Sequence, residues 1–182
     1  MRWVALLRGI NVSRANRLAM GDLRMTIQAI GFDNVATYIQ SGNVVFDTSG
    51  SDASTEESLA ARIRDALAVQ HGVDVPVVVR SADELLRVAA ALSAAESAAD
   101  SKLLHVLFLD KEPAVGADAV IESQRYEPDR WTVDGRQIYV RYPNGSGRSK
   151  LTIDVFERAL GVTATARNLN TVRKLAAMLT AG

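Results

Sequence analysis

Two glycine turns constrain this chain more than any other feature. Ser41-Gly42 separates Val35–Gln40 from Asn43–Asp47, and Asp134-Gly135 separates Arg130–Val133 from Arg136–Tyr142. Short β-forming runs on either side of such a turn make a hairpin, because glycine supplies the positive φ that tight turns need. The first hairpin sits between two helical patterns. Met20, Leu23, Ile27 and Ile30 recur at helical spacing before it, with Gly31 as the stop. After it, a Ser54/Glu57 capping box opens a helix striped by Leu59, Ile63 and Leu67 and closed by Gly72. Apolar runs at Trp3–Leu7 and Val75–Val79 complete the order β-α-β-β-α-β, the ferredoxin-like unit.

A connecting helix capped by Ser81 with Glu84 follows, then a polar, small-residue stretch from Ser93 to Ser101 that reads as a subdomain boundary. The second half begins the pattern again. Leu103–Leu109 reads as a strand, Pro113–Ser123 as a helix, and the second hairpin comes next. Leu151, Val155, Phe156 and Leu160 mark a helix closed by Gly161, Val162–Ala166 reads as a last strand, and Val172, Leu175, Met178 and Leu179 stripe a final helix. The expectation is an α+β fold: a tandem pair of ferredoxin-like βαββαβ subdomains, 1–92 and 93–182, with an added C-terminal helix.

Composition enters where it excludes. A 182-residue chain with 48% hydrophobic content can bury a sizeable core. It has no cysteine, which removes thiolate catalysis and cysteine-based zinc sites and suits a reducing cytoplasm. The apolar run at the N-terminus breaks at Arg8, too soon for a signal segment or a membrane span. The two histidines, His71 and His105, are far apart, and no HExxH or Asp-rich loop occurs, so no metal and no cofactor are expected. Neither a Gly-x-Ser-x-Gly elbow nor a general acid–base pair can be read from the sequence.

The net charge of zero hides an asymmetry. Residues 1–21 hold four arginines and no acid, and residues 135–182 hold eight basic side chains against Asp154 and Glu157. The middle carries nineteen acids against nine bases. Such segregation points to an anionic partner, or to mutual neutralisation across one fold. Three basic, acid-free stretches stand out. Gly145-Ser146-Gly147-Arg148-Ser149-Lys150 joins glycines, which let backbone N–H groups converge, to fixed charges ahead of a helix. It is not a Walker A loop, since the lysine follows the serine. Arg8-Gly9-Ile10-Asn11 can donate to a phosphate or carboxylate at a strand exit, and Gln40, Ser41 and Asn43 beside Gly42 offer further donors. Arg167, Asn168 and Asn170 lie where the final helix starts, and either asparagine can simply cap it. On this reading Arg148, Lys150 and Arg167 all sit against the positive end of a helix dipole, an arrangement that asks for an anion. For each stretch the competing reading is a turn or cap whose charges are merely solvated.

At Ala5–Val12, Thr37–Phe46, Gly147–Leu151 and Ala166–Val172 the chain resembles a family of bacterial proteins known as domain of unknown function 1697. The resemblance runs in order over nearly the whole chain. It implies a cytoplasmic α+β protein of two similar ferredoxin-like subdomains, with no established activity. The motif positions map to Arg8, Asn11, Gln40, Ser41, Gly42, Asn43, Arg148, Ser149, Lys150, Arg167, Asn168 and Asn170. Ser13-Arg14 stands where a glycine pair is common, Ala19 where proline is common, and Leu169 where an aromatic is common. The expected function is binding of a phosphorylated small molecule or single-stranded nucleic acid at the basic loop. The alternatives are an enzyme acting on a small phosphorylated or carboxylated substrate, and a protein-interaction module.

Overall fold

The computed structural model describes residues 1–12, 16–49, 54–93 and 101–181. The Ser13-Arg14 substitution and most of the Ser93–Ser101 stretch lie outside these residues. The fold is mixed α+β, with two four-stranded antiparallel sheets and five α-helices among the described residues. It divides into two compact units, Met1–Ala89 with Lys174–Gly182, and Ala90–Arg173.

The first unit runs β1 (Arg2–Leu7), α1 (Met20–Ala29), β2 (Asp33–Tyr38), β3 (Asn43–Asp47), α2 (Glu56–His71) and β4 (Val77–Ser81), continuing into α3 (Ala82–Ser93). The sheet order is β2-β3-β1-β4. β1 is central because it is apolar on both faces: Trp3 to Leu7 are all buried. It pairs antiparallel with β3 through Val4↔Val45 and with β4 through Val4↔Arg80. Leu23 and Ile27 from α1, and Leu59, Ile63 and Leu67 from α2, meet Leu7, Val44 and Phe46 in one core. The capping box of α2 forms one residue later than expected. Thr55 accepts the Ser58 N–H at 3.1 Å, and the Ser58 hydroxyl accepts the Thr55 N–H at 3.0 Å. The shift makes Glu56 the first helical residue, from which its carboxylate accepts the Ser81 N–H at 3.0 Å. Ser81 itself caps α3, its hydroxyl accepting the Glu84 N–H at 3.2 Å.

The second unit contains β5 (Leu104–Leu109), β6 (Arg130–Asp134), β7 (Gln137–Arg141), α4 (Ile153–Leu160) and β8 (Ala164–Asn168), followed by α5 (Leu169–Thr180). The sheet order is β6-β7-β5-β8, with Val106 of β5 opposite Tyr139 and Arg167. Phe156 and Leu160 of α4 pack with Leu107, Leu109, Ile138 and Val140. Two expectations are corrected here. Pro113–Ser123 is not an α-helix but loop with short 3₁₀ turns at Ala117–Val120 and Ser123–Tyr126. Gly116 adopts a left-handed φ of 73°, and Val115 and Val120 are exposed while only Ile121 is buried, so no apolar stripe holds a helix there. The last strand is Ala164–Asn168 rather than Val162–Ala166, because its pairing with β5 runs from Leu109↔Ala164 to His105↔Asn168.

The hairpin glycine of the first unit has a second duty besides its turn. Gly42 has φ +77°, and a Cβ there would lie 2.8 Å from Leu7 Cβ and 2.9 Å from Ile10 Cδ1. Gly42→Ala is expected to destabilise the protein by about 2–4 kcal/mol, combining left-handed strain with overpacking. Chemical denaturation of the purified variant measures this directly.

Candidate functional site

In the first unit the fold brings two of the basic or amide-rich stretches together. Arg8–Asn11 leaves β1, and the 39–42 turn joins β2 to β3; the Leu7 N–H donates to the Gly42 carbonyl at 2.9 Å. Asn11 takes a left-handed φ of 59°, which asparagine tolerates better than most residues. Its amide nitrogen donates to Leu18 O at 2.9 Å and Gln40 O at 2.8 Å, while its oxygen accepts the Leu18 N–H at 2.9 Å. Both donors and the acceptor are thus engaged in stitching the 11–18 loop to the hairpin. Asn43 is fully buried and donates to Tyr38 O and Ser41 Oγ, each at 3.0 Å. Gln40 and Ser41 are exposed, and Arg8 is half-buried with its N–H on the Pro76 carbonyl.

In the second unit the basic loop follows β7. Tyr142 is buried and donates its hydroxyl to Leu151 O at 3.1 Å, closing the loop at its base. Burial pushes the Tyr142 phenol up to about 12, with the Asp129 carboxylate adding to the effect, so it remains a neutral donor at physiological pH. Within the loop Gly145 takes φ 84° and Ser146–Arg148 forms a 3₁₀ turn. Ser149 Oγ accepts the Leu151 N–H at 2.8 Å and donates to Asp129 Oδ2 at 2.5 Å. Asp129, from the segment ahead of β6, is only 6% exposed. Beside this pair lies a concavity of about 210 Å³ lined by Arg125, Glu127, Asn144, Arg148 and Lys150 among others. Glu127 pairs with Arg130 at 3.4 Å. The side chains of Arg125, Arg148 and Lys150 are exposed and make no hydrogen bond or ion pair among the described residues.

The third stretch lies at the β8–α5 junction. Arg167 is not an exposed charge at a helix start, as its position in the sequence implied; it belongs to β8, and its side chain is buried. One guanidinium nitrogen donates to Thr165 Oγ1 and Ala166 O, both at 2.8 Å. Burial lowers its pKa to about 10, leaving it cationic at neutral pH. Asn168 Oδ1 accepts the Thr171 N–H at 2.9 Å and so is the cap of α5, while Asn170 is exposed. Nor do Arg148 and Lys150 sit in the first turn of a helix, since α4 begins only at Ile153. Both line the same concavity as Arg125.

The expected site residues therefore fall in both compact units: Arg8, Asn11, Gln40, Ser41 and Asn43 in the first, Arg148, Ser149, Lys150, Arg167, Asn168 and Asn170 in the second. Arg125 and Asp129 escape a sequence reading. Asp129 lies twenty residues from the serine it binds, in a mixed-charge stretch with no motif, so no local signal marks it. Among the described residues there is no cluster of three or more His, Cys, Asp or Glu side chains that could hold a metal ion, and no helix long and apolar enough to cross a membrane.

The family described as "Protein of unknown function (DUF1697)" matches residues 1–139. No curated protein matches the chain. Among solved structures, that of the conserved bacterial protein SP0830 from Streptococcus pneumoniae is similar, with a TM-score of 0.67 and 21% sequence identity over 98% of each chain. At that identity the likeness is one of fold.

Two outcomes follow from the hydrogen bonding and burial. Asn11→Ala is expected to cost about 2–3 kcal/mol in denaturant unfolding, because it leaves the N–H of buried Leu18 and two carbonyls without their partner. His105 packs edge-on against Tyr142 at 5.3 Å, and burial holds its pKa below 6.5. The unfolded chain then binds a proton more readily than the folded one, so stability is retained above pH 6.5 and falls as the pH drops below that value. His105→Gln is expected to flatten this slope in unfolding curves collected between about pH 7 and 5.

Proposed function

The chain belongs to the DUF1697 family of proteins of unknown function, and we propose that this member binds a phosphate-bearing ligand, a nucleotide or a nucleic acid, at the basic loop of its second unit. One observation carries the reading. Arg148 and Lys150 of the basic loop and Arg125, from the segment ahead of β6, line one concavity, and none of the three charges has a partner among the described residues, while the two carboxyls of the same lining are taken up by Arg130 and Ser149. Gathering like charges is unfavourable unless an anion joins them, and phosphate oxygens accept several charge-assisted hydrogen bonds at once. Asn144 adds a neutral donor to the same lining. At about 210 Å³ the space is smaller than the roughly 300–1,000 Å³ of pockets that enclose whole small molecules. It suits a phosphoryl group whose remaining ligand rests on the open surface.

The architecture is read in the same way, as a tandem of two ferredoxin-like units, each followed by a helix. Several correspondences support the repeat. The central strands place Val4 and Val106 opposite an arginine of the neighbouring edge strand, Arg80 and Arg167. Each arginine is followed by a polar residue, Ser81 or Asn168, whose side chain accepts an N–H of the next helix. Those helices, α3 and α5, have twelve residues each. The absence of cysteine favours a cytoplasmic setting.

Calorimetric titration with inorganic phosphate, nucleotides and short single-stranded oligonucleotides at two salt concentrations tests the function. Arg148→Ala and Lys150→Ala are each expected to weaken binding about tenfold or more, the scale of one charge-assisted hydrogen bond. Affinity for an oligonucleotide that collapses with added salt identifies nucleic acid, whereas a saturable small-anion site changes less. Absence of binding by every one of these ligands overturns the reading.

A further inference from the structure

A hydroxyl and a carboxylate meet in the wall of the basic concavity, and we infer that Ser149 is a nucleophile that accepts a phosphoryl group, with Asp129 as the base that receives its proton. This inference rests on the phosphate-binding reading of the same concavity. It deepens that reading from binding to group transfer.

The geometry supplies each part that the step needs. Ser149 Oγ donates to Asp129 Oδ2, the hydroxyl-to-carboxylate hydrogen bond that a nucleophile and its base require. The two partners differ in access: Asp129 is buried, whereas Ser149 is half-exposed on the concavity. Both residues line the concavity, and the hydroxyl belongs to the more open of the two, where a phosphorus atom can approach. The Leu151 N–H, 2.8 Å from the same oxygen, fixes its orientation and offsets negative charge as the proton leaves. A carboxylate is a weak base for a serine. Phosphoryl transfer passes through a loose transition state that asks little of the base, so positioning and charge neutralisation carry most of the catalysis. Arg125, Arg148 and Lys150 line the space that the non-bridging oxygens would occupy.

The lining also selects the donor. Asp129 is committed to Ser149, and Glu127 is paired with Arg130. Neither carboxyl is left to protonate a departing oxygen, and no histidine lines the concavity. The donor that suits is one whose leaving group departs as a stable anion without a proton, an acyl phosphate, of which acetyl phosphate is a small example. In the step, the bond from Ser149 Oγ to phosphorus forms as the bond from phosphorus to the acyl oxygen breaks. The carboxylate leaves with that bond's electron pair. The serine proton passes to Asp129 and then to water, and nothing is oxidised or reduced.

The same hydrogen bonds also brace the loop, so the test must read chemistry rather than stability. The full-length protein is incubated with acetyl phosphate, and the product is analysed by intact mass and peptide mapping before and after hydroxylamine, which cleaves acyl phosphates but spares phosphoserine. The expected result is one hydroxylamine-resistant phosphoryl group on Ser149, absent in Ser149→Ala. Its rate of formation is expected to fall about tenfold in Asp129→Asn, less than the ~100-fold of a full general base because the loose transition state asks little of it. A fall of about tenfold or more is expected in Arg148→Ala, whose exposed position keeps the test valid if Asp129→Asn does not fold. No label on Ser149, a hydroxylamine-labile label, or labelling at an unchanged rate in Arg148→Ala overturns the inference. Phosphate binding is measured by calorimetry on the same samples. Binding without phosphoserine overturns the nucleophile alone, and loss of both overturns the phosphate-site reading as well.

Discussion

Burial of both faces of a central strand is the constraint from which the rest of the structure follows. β1 and β5 are apolar on both sides, so none of their backbone groups can turn to water for a hydrogen bond. Each must be flanked on both edges, β1 by β3 and β4, and β5 by β7 and β8. A hairpin supplies one flank cheaply, since β2 and β3, like β6 and β7, form locally around a glycine turn. The other flank has to come from farther along the chain, through α2 in the first unit and α4 in the second. The candidate site is a product of that second connection. The loop from β7 to α4 must cross the end of the sheet, and Tyr142 and Ser149 hold it there.

The sequence was most legible where local chemistry decides the outcome. Gly42 and Gly135 marked the hairpins because a positive φ excludes most other residues. Leu59, Ile63 and Leu67 marked α2 because one face of a helix must be apolar, and all three are fully buried. Legibility failed where a local signal was weak and pairing decided instead. Val115, Val120 and Ile121 are apolar enough to look helical, yet their spacing puts no continuous stripe on one face. Val162–Ala166 was readable as a strand, but its end was set by how far β5 offers partners. That extension carried Arg167 off the helix start and into the sheet, and left Asn168 to provide the cap.

The site divides along the same line. Arg148, Ser149 and Lys150 could be named as candidates because a glycine-rich basic loop is a local pattern. Asp129 could not, because its contact spans twenty residues, nor could Arg125, which meets the loop only in the lining of the concavity. Asn11 and Asn43 show the converse. Their residue type and setting fitted ligand recognition, whereas their amides hydrogen-bond the loops around them. Polar residues packed into a turn serve the turn first, and a ligand reading of them needs a donor left over.

Arg80 and Arg167 occupy the edge strands β4 and β8, the outermost positions of the two sheets on one side. Both side chains are buried, and the Arg80 guanidinium has carboxylates of Glu84 and Glu56 at 3.2 and 3.8 Å. An inward-pointing charge is one of the devices by which natural sheets discourage a foreign strand from docking on an open edge. On β4 that charge is anchored by ion pairs, whereas on β8 the Arg167 guanidinium is held by Thr165 Oγ1 and the Ala166 carbonyl. Buried arginines on these two strands are thus residues of the kind that disfavours the pairing of a fifth strand.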